Sequence, residues 1–258
     1  YDFSNNWNPK VMETPINSSF SIMGGKNFKV GDGSLNVLLI GNMNSDYKYA
    51  EGLIRQTTND GTISLDQAST RSQYNVSKTA MANLKYSFGK HYVSYNSMYI
   101  NDQSQDFESN IGFKLFDVKD NGFFRRSQVQ DNHLFVNQLL SKLDISDNWK
   151  LDIGIGNNAV RGNEPDRRTI EMLDQDQTGS YRLYDTQNYN ERYFSELTEN
   201  GWTAKAIVTH KFLNTDELDR KVEFGYNGNL VKRDFNAIIF GHLKTGSLHL
   251  FDFDVNDM

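Results

Sequence analysis

Segments of about ten residues along this chain switch between apolar and polar side chains at every step. From Trp149 to Ala159, Trp149, Leu151, Ile153, Ile155 and Ala159 share one parity, and Lys150, Asp152, Gly154, Gly156 and Asn158 share the other. Asn157 alone interrupts the apolar row. Period two is the period of a β-strand, whose successive side chains point to opposite faces. Trp202, Ala204, Ala206, Val208, His210 and Phe212 form a second row, with Ile207 as its exception, and Val222, Phe224, Tyr226 and Leu230 form a third. Tyr74, Val76, Ala80, Ala82, Leu84, Tyr86 and Phe88 form another, which includes Lys78. Shorter rows appear at Phe20 and Ile22, at Leu35, Val37 and Leu39, at Val93, Tyr95 and Tyr99, and at Phe135, Leu139, Leu143 and Ile145. The pattern predicts eight strands.

Their connections alternate in length. Short turns are expected at Gly31-Asp32-Gly33, at Gly89-Lys90, at Ser146-Asp147-Asn148 and from Asn214 to Arg220. Wide loops are expected from Asn44 to Ser72, Asn101 to Asp131, Asn158 to Gly201, and from Asp234 onward. Small turns on one side and large loops on the other are the sequence signature of a transmembrane β-barrel. Trp202 and Phe212 lie ten residues apart on one face; at roughly 3.3 Å per residue and a tilt near 40° they span about 25 Å, the height of a barrel's apolar band. Lys78 would then sit at the outer interface, where its ammonium can snorkel into water. A soluble antiparallel sandwich or lipocalin-like barrel alternates as well, but with strands of about 5–6 residues and without loops of thirty on one side. The expected fold is all-β: about eight strands of a larger transmembrane antiparallel barrel with long extracellular loops. Residues 1–258 read as part of one barrel domain cut inside loops at both ends, with no plug domain.

Composition changes little in that picture. A mean hydropathy of -0.66 resembles a water-soluble domain, but a barrel places only alternate residues against lipid, so its average stays low. No apolar run approaches the roughly 20 residues of a membrane-crossing helix. The absence of cysteine excludes disulfides, Cys-ligated metals and thiol nucleophiles. A net charge of -6 with scattered Lys and Arg argues against nucleic acid as a partner. Asp152, Lys205, Lys211, Glu223 and Asn229 fall on the polar parity and suit a wet or plugged lumen, since an apolar interior would reject them.

Candidate chemistry gathers in the widest loop. Glu164-Pro165-Asp166-Arg167-Arg168 offers guanidinium forks at Arg167 and Arg168 that can grip a carboxylate or phosphate, or else pair internally and shape the strand exit. Tyr181, Tyr184, Tyr189 and Tyr193, with Phe194, supply aromatic surface for a sugar, an aromatic chelate or a partner protein, or pack the loops together. Asp174, Asp176, Thr178, Gly179 and Asp185 follow the spacing of a calcium loop, but its twelfth position is Asp rather than Glu and its ninth is Arg182; calcium is not assigned. His91, His133, His210, His242 and His249 form no metal spacing, and no serine stands in a nucleophile elbow. Neither catalysis nor a cofactor is expected.

Asn6-Trp7-Asn8-Pro9 leading to Phe20-Ser21-Ile22-Met23-Gly24-Gly25, Glu164-Pro165-Asp166-Arg167-Arg168, and Lys232-Arg233-Asp234-Phe235-Asn236-Ala237 resemble segments of TonB-dependent outer-membrane receptors, in particular the large type with a carboxypeptidase-regulatory-like extension. The resemblance implies the outer membrane of a Gram-negative bacterium and a 22-stranded barrel filled by a plug. Its implied partners are outer-membrane lipid, the plug of the same protein and the TonB complex. The implied activity is uptake of a scarce or bulky nutrient, such as a metal chelate, oligosaccharide or peptide. A second expectation is a receptor-like barrel serving as a structural subunit of an outer-membrane complex, with a surface lipoprotein or other outer-membrane subunits as partners.

Overall fold

The computed structural model describes residues 12–13, 15–114, 118–174, 181–183, 190–213 and 220–241. The described residues form eight long strands and one short one: β1 (Ser18–Val30), β2 (Gly33–Thr57), β3 (Ile63–Phe88), β4 (His91–Lys114), β5 (Val118–Asp144), β6 (Trp149–Asp174), β7 (Arg182–Leu183), β8 (Glu191–Lys211) and β9 (Lys221–Gly241). The long strands run as an antiparallel meander in a single sheet, each paired to the next in order, and β7 pairs only with the end of β6. The described residues contain no helix.

All eight predicted apolar rows fall on one face of this sheet. One hydrogen-bonded row links Phe28, Leu35, Tyr86, Val93, Ser141, Ile153, Ala206 and Tyr226 across all eight long strands. Such agreement requires every register to be correct, because a slip of one residue would turn a strand's apolar set to the other face. Two-residue turns set the first registers: Gly31 and Gly89 have φ of 60° and 54°, the left-handed first position that a II′ hairpin requires of glycine. On β1 the shared row lies two residues before Val30, but on β9 it lies five residues after Lys221. The turn-side edge therefore runs obliquely to the rows, as tilted strands require.

The wide loops are corrected by the structure. Most of Asn44 to Ser72 continues β2 and β3, most of Asn101 to Asp131 continues β4 and β5, and β6 and β8 fill much of Asn158 to Gly201. Thr58 to Thr62 alone turns the β2–β3 hairpin, with Thr58 N donating to Thr62 O at 2.8 Å. Alternation fails in these extensions because each face mixes the two kinds of side chain: in β5, Phe123 shares a parity with Arg125, and Phe124 with Arg126. The tail after Asp234 likewise remains strand as far as Gly241.

Nothing among the described residues covers the apolar face. Leu39 in β2, Leu139 in β5 and Ile155 in β6 are 56%, 47% and 47% exposed, although each strand has neighbours on both sides. The described residues contain no second sheet, so the Trp149 and Trp202 rows do not meet across a sandwich; they lie on one face of adjacent strands. Strands β1 and β9 make no contact with each other, so among the described residues nothing pairs with the outer edge of either.

The opposite face carries Asn83, Asn96, Gln138, Gly156, Thr203 and Asn229 in one row. It is less uniformly polar than alternation predicts. Ile40, Met81, Met98 and Val136 form a half-buried apolar row there, and Ile100, Leu134 and Val160 extend it.

Candidate functional site

The Glu164–Arg168 segment is neither an open loop nor an unbroken strand. From Glu164 to Arg167, β6 advances three residues while β8 advances two, from Ser195 to Tyr193. The extra residue makes a β-bulge around Pro165, the setting in which a strand tolerates proline, which lacks the ladder N–H. Past the bulge, Arg168 and Arg192 face each other in register.

Arg167 and Arg168 serve opposite faces, as consecutive strand residues must. Arg168 Nε donates to Asp166 Oδ2 at 2.6 Å, and Arg192 donates to the same carboxylate through Nε at 2.9 Å and Nη2 at 2.5 Å. Arg192 is nearly enclosed, with a side chain 3% exposed. Burial pushes the Asp166 carboxyl up, but the bonds from Arg192 and Arg168 outweigh it and hold the group below the usual aspartate range.

On the other face, the Arg167 guanidinium lies 4.2 Å from the centre of the Tyr193 ring and donates to Glu191 Oε1 at 3.3 Å. Its Nη1 is 3.7 Å from Glu164 Oε1, which also accepts from Gln128 at 2.9 Å; Gln128 in turn accepts from Arg126 at 2.9 Å. Burial raises the Glu164 carboxyl above the usual range despite its cationic neighbours Arg167 and Arg126. The result is a polar chain across β5, β6 and β8, with one arginine held flat against an aromatic ring.

The structure thus brings Arg167 and Tyr193 together and takes Arg168 to the far face with Asp166. Tyr181 is only 6% exposed and packs with Phe123, Ile170 and Met172, its ring centre 5.9 Å from that of Phe123. Burial raises its phenol above the usual tyrosine range, with Asp174 adding to the shift. Tyr184 and Tyr189 lie outside the described residues, as do Asp176, Thr178, Gly179, Asp185, His242 and His249. No group of three His, Asp or Glu among the described residues is placed to hold a metal ion. Beside Tyr181, burial brings the Arg125 guanidinium down to about 10; its carbon lies 4.8 Å from the Phe123 ring centre and 5.5 Å from that of Phe107. Sequence reasoning missed Glu191, Arg192 and Arg125, because only the bulge and the β5–β6–β8 register bring them to the motif.

Some polar side chains within the apolar rows are satisfied sideways, whereas His210 Nδ1 is buried without a hydrogen-bond partner among the described residues. Asn157 Nδ2 donates to Asn200 Oδ1 at 2.8 Å and to Gly201 O at 3.2 Å, and Tyr95 Oη donates to Asn137 Oδ1 at 2.7 Å. Aromatic rings gather at the turn end: the Trp149 and His210 rings lie 4.2 Å apart and tilted, and Phe88 stacks on Tyr86 at 5.4 Å. Lys78 lies level with Asn101 and His133, one row beyond the apolar side chains of Ala80, Tyr99 and Phe135. Comparisons of the chain with protein-family models, with curated proteins and with solved structures find no match.

Proposed function

We propose that this chain is a wall segment of a transmembrane β-barrel in the outer membrane of a Gram-negative bacterium, belonging to a TonB-dependent receptor that takes up a scarce or bulky nutrient. One observation carries the barrel reading. An uncovered face, about ten residues tall on each strand and apolar except at isolated positions such as Lys26 on the edge strand β1, continues without a register break across eight strands. Water would penalise such a face by roughly 25 cal/mol per Å² of apolar surface, whereas hydrocarbon removes that cost. The paired backbone and the side-chain bonds of Asn137 and Asn157 leave few polar groups for lipid to oppose.

The receptor reading rests on the resembling segments and on the polar face. A lumen open to water has no use for the apolar patch centred on Ile40, Met81, Met98 and Val136, but a plug packed inside the barrel would bury it. Uptake would proceed by capture at the outer mouth, to which Arg167 and Tyr193 contribute, followed by TonB-driven rearrangement of the plug.

A second reading is favoured by the extensions: beyond the band, β2 to β6 remain a paired sheet, and the arginines of the bulge are engaged with this chain's own carboxylates. Such a rigid wall suits a structural subunit that docks a surface lipoprotein or another outer-membrane protein. The two readings separate when full-length protein, extracted from outer membranes in mild detergent, is passed over the immobilised periplasmic domain of TonB. Retention supports the transporter. A correctly assembled protein that flows through supports the scaffold.

A further inference from the structure

Immediately beyond the apolar band, one hydrogen-bonded row places Lys78, Asn101, His133 and Arg161 on four successive strands, β3 to β6, all on the apolar face. We infer that this row receives the phosphate of a lipid head group whose acyl chains lie on the band below it. The inference rests on the membrane reading above and adds a partner to it.

Three features specify that ligand. The row below consists of Ala80, Tyr99, Phe135 and Ala159, so two aromatic rings flanked by alanine methyls offer acyl chains an apolar surface directly under the polar row. Tyr99 Oη lies 2.8 Å from His133 Nδ1, which joins the last apolar row to the first polar one. Among the described residues, Lys78 makes no ion pair or hydrogen bond and is exposed, and Arg161 makes only a solvent-exposed contact to Glu196 at 3.4 Å, with both side chains more than half exposed. Two cations therefore stand ready at head-group height.

Among the described residues three acids lie in or beside this row and its continuation, and each is engaged: Asp131, Glu196 and, two strands beyond Arg161, Asp234, which pairs with Lys232 at 3.7 Å. Asp131 accepts from Asn101 at 2.7 Å and from Gln103 at 3.1 Å, and its other oxygen lies 3.1 Å from His133 Nε2. Glu196 pairs with Arg161, a screened contact that a phosphate with two ester-free oxygens can displace by offering a bidentate acceptor. A free phosphate would meet the same cations without gaining anything from the band; a lipid phosphate gains both.

The test places the full-length protein in phosphatidylcholine bilayers and compares, by electron spin resonance, the motionally restricted fractions of spin-labelled phosphatidic acid and spin-labelled phosphatidylcholine. The unmodified protein should prefer phosphatidic acid. A Lys78→Ala/Arg161→Ala double variant should lose that preference by severalfold, on a scale of about fivefold per cation near a membrane surface, while Lys142→Ala on the polar face should not change it. If the double variant assembles poorly, raising salt to about 1 M around the unmodified protein must itself weaken the preference. Equal restriction of both lipids, or a preference that survives the double variant or high salt, overturns the head-group inference alone. Absence of any restricted lipid overturns the membrane reading beneath it.

Discussion

Arg168 and Arg192 stand directly opposite each other across β6 and β8, and Asp166 accepts hydrogen bonds from both. Like charges in register would force the strands apart; the bulge brings a carboxylate within reach of both guanidiniums. Asp166→Asn should loosen the outer end of this hairpin by about 2 kcal/mol, the scale of charge-assisted bonds lost at a largely enclosed site. Amide hydrogen exchange in the full-length protein should quicken around Thr169 and Glu191 and stay unchanged near Trp149.

The two acids of the bulge should respond to pH in opposite senses. Asp166 is held below its ordinary range, so its stabilising effect is complete above an unfolded value of about 3.9 and fades as pH falls through the folded value. Glu164 is raised, so the folded state is favoured while that group keeps its proton. Its contribution is present below about 4.3 and is lost as pH rises through the folded value. Exchange at the hairpin end, followed from acid to neutral pH, should lose its acid-side rise in Asp166→Asn and its upper-side rise in Glu164→Gln.

Charge placed on the apolar face should be costly only within the band. Ile155→Lys puts an ammonium beside Leu139 and Ala204 and should lower folding stability in phospholipid vesicles by about 2–4 kcal/mol. Asn229→Lys, on the polar face, should remain within about 0.5 kcal/mol of the unmodified protein. Urea titration of the full-length protein reads both.

Gly156 is required by packing rather than by a turn. A Cβ built there would lie 2.6 Å from Thr203 Oγ1, so Gly156→Ala should cost about 1–3 kcal/mol through overpacking. Adding Thr203→Ala should return most of that loss, and a double-mutant cycle in the same urea assay would measure it.

Strand identity and facing were legible in the sequence wherever one face was apolar and the other polar. Trp149 to Ala159 and Trp202 to Phe212 fall on the face that their alternation predicts. Strand length was not legible, because beyond Asn101 and Asn158 polar and apolar side chains mix on each face and the period-two signal is lost although pairing continues. The site was half legible for a related reason: spacing marked Glu164 to Arg168 as special, but a bulge changes the register by one residue without leaving a periodic trace. Arg168 thereby meets Arg192, and Arg167 meets Tyr193. The apolar patch at Ile40 and Met81 was hidden within noisy alternation, since its members are spread over strands β2 to β6.

The central claim is that one face of this sheet meets hydrocarbon. Its most direct measurement is a single-cysteine scan of residues 149–159 and 202–212 in the full-length protein, in native outer membranes and with any cysteines elsewhere in that protein replaced. Each position would be labelled and tested for quenching by a lipid-dissolved nitroxide and by a water-soluble ion. If this face lies in the membrane, lipid quenching occurs at Leu151, Ile153, Ile155, Ala204 and Ala206, and not at their immediate neighbours. Aqueous quenching on both parities, or protection of both by another protein layer, would contradict it.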